Sequence, residues 1–171
     1  MGRYLAHDVI VHFILFQSIL LLVVVSNLVV LRKARRGKQP PNLPFVSVLV
    51  PARNEEKNIA RLVNSLSAQD YSNFELLVLD DESTDATPAI LDSLAKSKPG
   101  LRVLHGAPAV GRLKGKNWAC AQLASQAAGE VLFFTDADTV YAPNALRELM
   151  ACLQRENADF LTGFPRQLLG S

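Results

Sequence analysis

Three short acidic clusters hold the residues whose types and spacing could do chemistry. Asp136 and Asp138 lie two positions apart in Phe133-Phe134-Thr135-Asp136-Ala137-Asp138-Thr139. The apolar, β-forming run 131–134 before them fits a strand buried on both faces. Inside such a strand the two acids would be costly to desolvate, whereas at its C-terminal mouth they can face water and a ligand. Hard oxygen donors of this kind suit Mg²⁺ or Mn²⁺, with Mg²⁺ commonly shared between carboxylates and substrate phosphates. The pair therefore points to a metal–diphosphate site. The plainer alternative is a polar loop in which Asp138 or Thr139 only turns the chain toward the next helix.

The second cluster is Asp80-Asp81-Glu82-Ser83-Thr84-Asp85. Four acids in six residues repel one another, so some of them need donors. The N–H of a base or the hydroxyls of a ribose would serve. The third cluster is Pro51-Ala52-Arg53-Asn54-Glu55-Glu56. Gly115-Lys116-Asn117 adds a cation at the expected start of a helix, and both favour a phosphate. Each has a bland counterpart: Asn54 as a helix N-cap, Glu56 and Lys116 as solvated side chains, and Ser83-Thr84-Asp85 as a simple helix start.

The elements that must position these groups alternate along the chain. Residues 45–50 predict a strand stopped by Pro51, and 55–69 a helix capped by Asn54, with Ile59, Leu62, Val63 and Leu66 on its apolar face. Strand 74–79, helix 85–96, strand 101–104, helix 116–128 and strand 130–135 follow. Pro143 suits the first turn of a last helix with Leu146, Leu149, Met150 and Leu153 on one face, and 160–162 could begin another strand. Such alternation implies a mainly parallel sheet with helices on both faces. Ligands of open parallel sheets sit beyond the carboxyl ends of the strands, where all three clusters fall.

The chain has 171 residues, 49% of them apolar. Residues 9–31 hold no Asp, Glu, Lys or Arg, and 23 residues suffice to span a bilayer as a helix. The run is long for a signal peptide, and no small-x-small cleavage pattern follows it. Arg32, Lys33, Arg35, Arg36 and Lys38 follow instead, against only Arg3 before it. The positive-inside rule then makes residues 1–31 a single-pass anchor in the cell membrane, with the rest in the cytoplasm. The basic residues would meet anionic lipid headgroups. Residues 32–44 read as a basic linker stiffened by Pro40, Pro41 and Pro44, and residues 45–171 as the domain. Residues 41–171 carry twelve Lys or Arg against fifteen Asp or Glu, a net charge of −3, so nothing suggests a nucleic-acid surface. Cys120 and Cys152 lack metal-ligand spacing and read as free, buried thiols.

Taken together, Val48-Leu49-Val50-Pro51-Ala52-Arg53-Asn54-Glu55-Glu56, Leu79-Asp80-Asp81-Glu82-Ser83-Thr84-Asp85, Gly115-Lys116-Asn117 and Asp136-Ala137-Asp138 resemble the sugar-nucleotide-binding half of a family 2 glycosyltransferase over about residues 45–165. The resemblance implies an incomplete GT-A fold, a Rossmann-like α/β sheet. It implies a nucleotide-sugar donor, usually a UDP-sugar, held with Mn²⁺ or Mg²⁺. The segment Pro51, Ala52, Arg53, Asn54, Glu55 would contact the nucleoside, with Glu55 near the ribose. Asp80 or Asp81 would read the base. Asp136 and Asp138 would hold metal and diphosphate, with Asp138 the direct ligand, and Lys116 would join the phosphate contacts. Transfer would invert the anomeric centre. The stretch Gly115-Lys116-Asn117-Trp118-Ala119, with the anchor, is similar to members that glycosylate lipids such as hopanoids, carotenoids or ceramide.

The chain departs from the family after the metal motif. Members continue into an acceptor half that supplies an acidic general base. Glu156 and Asp159 come too early to match it, and Gln167 is not followed by x-x-Arg-Trp. The base is expected beyond residue 171, so the chain should bind donor without glycosylating an acceptor. The alternative is a non-catalytic, membrane-tethered nucleotide-binding or partner module. A nucleotidyltransferase would want a Gly-rich loop with Lys or Arg after the first strand, and a dinucleotide dehydrogenase would want Gly-x-Gly-x-x-Gly there; neither is present. Gly106 and Gly111 have the spacing of a P-loop, but Arg112 follows where Lys is required.

Overall fold

In the computed structural model, which describes residues 2–34, 43–108 and 114–163, five helices and four strands are seen. They run α1 (Gly2–Ala34), β1 (Val46–Ala52), α2 (Ile59–Ser67), β2 (Phe74–Asp80), α3 (Thr87–Ser97), β3 (Leu101–His105), α4 (Lys116–Gln126), β4 (Val131–Phe134) and α5 (Ala145–Arg155). The chain divides into two compact units, Met1–Lys38 and Gln39–Ser171. The expected linker residues Pro40 and Pro41, the basic Arg35, Arg36 and Lys38, and Gly111, Arg112 and Gln167 lie outside the described residues.

In the first unit, the α1 window Ile10–Asn27 has a mean hydropathy of 2.2 and none of it is buried. It is long and apolar enough to cross a membrane by length and composition. Ser18 donates its hydroxyl to Ile14 O at 2.8 Å, which satisfies a polar side chain inside the helix itself.

In the second unit the sheet is wholly parallel, in the order β3-β2-β1-β4. Period-two alternation divides its core into two layers. Val46, Val48, Val50 and Ala52 of β1 pack with Leu76 and Val78 of β2 against α2, α3 and α5. Leu49 of β1 and Leu77 and Leu79 of β2 pack against Ala119 and Leu123 of α4. Helices therefore cover both faces. Cβ atoms alternate along each strand, so every core residue above follows from its parity in the sequence.

A polar knot fixes the opposite, amino end of the sheet. Ser47 donates to Glu75 Oε1 at 2.6 Å and accepts from Gly129 N at 2.8 Å. Glu75 also accepts from Ala128 N at 2.8 Å and from Arg102 at 3.1 Å. Burial pushes the Glu75 carboxyl up, but these hydrogen bonds outweigh it and hold the group below its ordinary value. A Cβ on Gly129 would sit 2.4 Å from Ser47 N, so this close approach of chains requires glycine.

Several expectations are corrected. Pro51 does not stop β1, which continues through it to Ala52. Helix α2 begins at Ile59 rather than residue 55; residues 55–58 form a turn in which Glu55 O accepts from Asn58 N and Ile59 N, each at 2.9 Å. Pro143 and the N-cap Asn144 lie just before α5. Strand β4 is not buried on both faces, because Leu132 and Phe134 are each 44% exposed. It is an edge strand: among the described residues it pairs only with β1. Residues 160–162 form no strand, and Phe160 is exposed. Cys120 and Cys152 are free but only half-buried.

Candidate functional site

Strands β1, β2 and β3 are laid down outward in chain order, and the chain then returns to add β4 on the other side of β1. That reversal leaves a crevice beyond the carboxyl ends of β1 and β4, the usual ligand position in open parallel sheets. The structure has an open cleft of about 320 Å³ there. Pro51, Ala52, Arg53 and Glu55 line one wall with Asp81, and Lys116, Asp136 and Asp138 line the other.

Pro51 explains why the acidic loop leaves the sheet. Leu49 O accepts from Thr135 N at 3.1 Å, and Ala52 O accepts from Asp81 N at 2.8 Å. Backbone groups alternate sides along a strand, so position 51 faces β4, as Leu49 does. Its N–H would be the next donor to β4, and proline has none. The β1–β4 ladder accordingly ends at Leu49↔Phe134. Beyond it Ala137 turns into the core, 3% exposed, while Asp136 and Asp138 turn outward. The loop is closed behind them by a Thr135–Tyr141 hydroxyl hydrogen bond of 2.5 Å. Tyr141 is itself held edge-on to Phe133, with ring centroids 5.7 Å apart, and through its N–H to Ser65 Oγ at 3.2 Å.

Across the cleft, Gly115 caps α4 at φ 56° and ψ −140°, a conformation open to glycine and closed to other residues. It places Lys116 at the first helical position, where its ammonium pairs with Asp136 Oδ1. The hydrogen bond to Asp136 raises the Lys116 pKa and outweighs burial, which lowers it; the charges of Asp136, Cys120 and Asp138 add to the rise. Burial pushes the neighbouring Cys120 thiol up, which leaves it a poor nucleophile. Among the described residues no group of three or more His, Cys, Asp or Glu could hold a metal ion. Asp136 and Asp138 thus offer a divalent cation two hard ligands, a partial set of the kind that phosphates and water complete.

The second wall separates residues that the sequence had grouped. Asp81 lines the cleft with its carboxylate 3.7 Å from Arg53 Nη1. Asp80 does not line it, and its Oδ1 is buried without a hydrogen-bond partner. Asn54, expected among the cleft residues, is also not in the lining. It adopts φ 56°, donates its N–H to Ser83 Oγ at 2.9 Å and accepts from Thr84 N at 2.8 Å. Glu55 N donates to Thr87 Oγ1 at 2.8 Å, Glu56 N to Asp85 Oδ2 at 3.1 Å, and Ala86 N to Glu56 Oε2 at 3.1 Å. These bonds clasp the loops after β1 and β2 together. Desolvation pushes the Asp85 carboxyl up, but hydrogen bonds from Thr87 and Glu56 hold it below its ordinary value. Of the four acids in the 80–85 cluster, Asp85 is thus satisfied within the protein and Asp81 has Arg53 as its partner. The sequence reading missed Ala119 and Ala137, which also line the cleft; their only signal was small size beside motif residues.

A family profile described as Glycosyl transferase family 2 matches residues 47–167. A beta-monoglucosyldiacylglycerol synthase from Nostoc sp. is 42% identical over 118 residues, covering 67% of this chain and 25% of that protein. A UDP-Glc:alpha-D-GlcNAc-diphosphoundecaprenol beta-1,3-glucosyltransferase from Escherichia coli is 30% identical over 119 residues, covering 70% and 45%. Among solved structures, a mannosyltransferase from Pyrobaculum calidifontis in complex with GDP-Man and Mn²⁺ superposes with a TM-score of 0.60 at 27% identity, over 71% of this chain and 37% of that one. TarS from Staphylococcus aureus in complex with UDP superposes with a TM-score of 0.55 at 32% identity, over 66% and 32%. The chain thus spans a quarter to under half of the length of these curated relatives.

Proposed function

This chain belongs to glycosyl transferase family 2, and we propose that it carries the donor-binding part of an enzyme that moves a sugar from a UDP-sugar to a lipid acceptor. The observation that carries the reading is the meeting of two dissimilar walls in one cleft. One wall, with Asp81, Arg53 and Glu55, suits a nucleoside; the other, with Lys116, Asp136 and Asp138, suits a diphosphate and a divalent cation.

In this reading the Asp81 carboxylate accepts from an N–H on the edge of the base, with Arg53 as its counter-ion, and Glu55 accepts from the ribose hydroxyls. Asp138 and Asp136 hold Mn²⁺ or Mg²⁺, which when bound supplies positive charge to the leaving diphosphate. Lys116 and the start of α4 add a cation and a helix N-terminus on the same side. The acceptor hydroxyl displaces the diphosphate from the opposite face of the sugar, inverting the anomeric centre. The proton on that hydroxyl needs a base within about 3 Å. The acids of the cleft are committed to donor and metal, and we assign the base to a part of the enzyme outside residues 1–171. The α1 helix anchors the chain in the membrane with the cleft on the cytoplasmic side, where a lipid acceptor and a soluble donor can meet. The lipid substrates in the relatives' names support this reading.

Calorimetry with UDP tests it. Binding should require Mn²⁺ or Mg²⁺, and Asp138→Ala should weaken it by about tenfold or more, as expected for losing a charged ligand beside the diphosphate. Equal affinity in EDTA, or an unaffected Asp138→Ala variant, would count against the assignment.

A further inference from the structure

The pairing of Lys116 with Asp136 sets the first turn of α4 against the metal loop. We propose that in the nucleotide-free protein the Lys116 ammonium stands in for the divalent cation at Asp136, so that the metal enters together with a diphosphate rather than ahead of it. This rests on the reading of the cleft as a nucleotide–diphosphate site. Four observations carry it.

Lys116 and Asp136 side chains are paired directly, and both line the cleft. Among the described residues the same loop offers Asp138 as the only other carboxylate on that wall, so an arriving cation alone finds a partial ligand set with one member already engaged. The pair is also open to water, with side chains 62% and 59% exposed. An ion pair this exposed shifts an equilibrium by only a few-fold, so it can exchange partners; a buried one would lock the site shut. Finally, Gly115 places Lys116 at the first position of α4, at a helix start that carries no side-chain cap hydrogen bond. A diphosphate in the cleft thus offers the ammonium a new partner within reach of its flexible stem. Asp136 is then released to the metal. By linkage, diphosphate tightens metal binding by the same factor that metal tightens diphosphate binding.

The test uses the full chain in detergent and Mn²⁺ alone, followed by water proton relaxation. Lys116→Gln should tighten Mn²⁺ binding by about two- to fivefold, the range of an exposed ion pair. The same variant should weaken UDP binding at saturating Mn²⁺, so the two ligands respond with opposite signs. Lys114→Gln, which removes an equal charge from an exposed position outside the helix, should leave Mn²⁺ binding unchanged. In an Asp136→Asn background, Lys116→Gln should also have no effect on it. The proposal is overturned if Lys116→Gln leaves Mn²⁺ affinity unchanged or lowers it. It is equally overturned if Lys114→Gln tightens Mn²⁺ as much, since net charge alone would then explain the gain. Failure of the unsubstituted chain to bind UDP with Mn²⁺ would instead remove the functional reading, whatever the Mn²⁺ titrations give.

Discussion

Asp80 and Asp81 are neighbours in the chain and opposites in the molecule. Strand parity sends Asp80 to the side of Leu76 and Val78, while Asp81 lines the cleft beside Arg53. The sequence named the pair and could not choose between them, because parity becomes meaningful only once one face is known to carry the ligand. The same limit hid the role of Asn54. Its partners Ser83 and Thr84 are about thirty residues away, and no local pattern announces that contact. Asp81→Ala should weaken UDP binding at saturating Mn²⁺ by about tenfold or more, the worth of a hydrogen bond to a charged group. Asp80→Ala should show in thermal unfolding rather than in UDP binding. Calorimetry on both variants decides: equal losses of affinity would show that the cleft does not distinguish them.

Elements were legible wherever apolar periodicity was long. The four strands expected between residues 45 and 135 are present, and Ile59, Leu62, Val63 and Leu66 form the buried face of α2 as their spacing implies. Boundaries failed where the backbone is pinned from outside. Helix α2 starts late where residues 54–56 are tied to the loop after β2 and Asn54 is held at φ 56°, outside helical backbone. Proline ended a ladder rather than a strand, since only one of the two neighbours of β1 needed its N–H. Gly115 offers a test at this scale. Among the described residues, chain neighbours apart, no atom lies within 4 Å of where its Cβ would be, so the expected effect of Gly115→Ala comes from the backbone. The substitution should destabilise by about 1–3 kcal/mol, the usual worth of so unfavourable a conformation. It should also weaken UDP binding, because Lys116 loses its place at the start of α4. Unchanged thermal unfolding would show that α4 can be capped another way.

At the scale of the molecule, alternation of strand and helix implied the parallel sheet, and the sheet implied the edge at which the motifs meet. What the sequence could not convey was the number of neighbours each strand has. An apolar run such as 131–134 looks the same in the middle of a sheet and at its border. Val131 and Thr135 donate their N–H groups to Phe45 O and Leu49 O on the side of β1, so the alternate residues Leu132 and Phe134 turn theirs away from it, and their side chains are half exposed as well. A border of that kind can template further pairing: it offers a second chain both hydrogen bonds and an apolar surface, with no charge on β4 to repel it. The detergent-solubilised chain should therefore self-associate as its concentration rises, by strands meeting edge to edge rather than through the cleft. Sedimentation velocity should show the mass falling when Leu132→Lys places a charge on that border, while UDP binding stays intact.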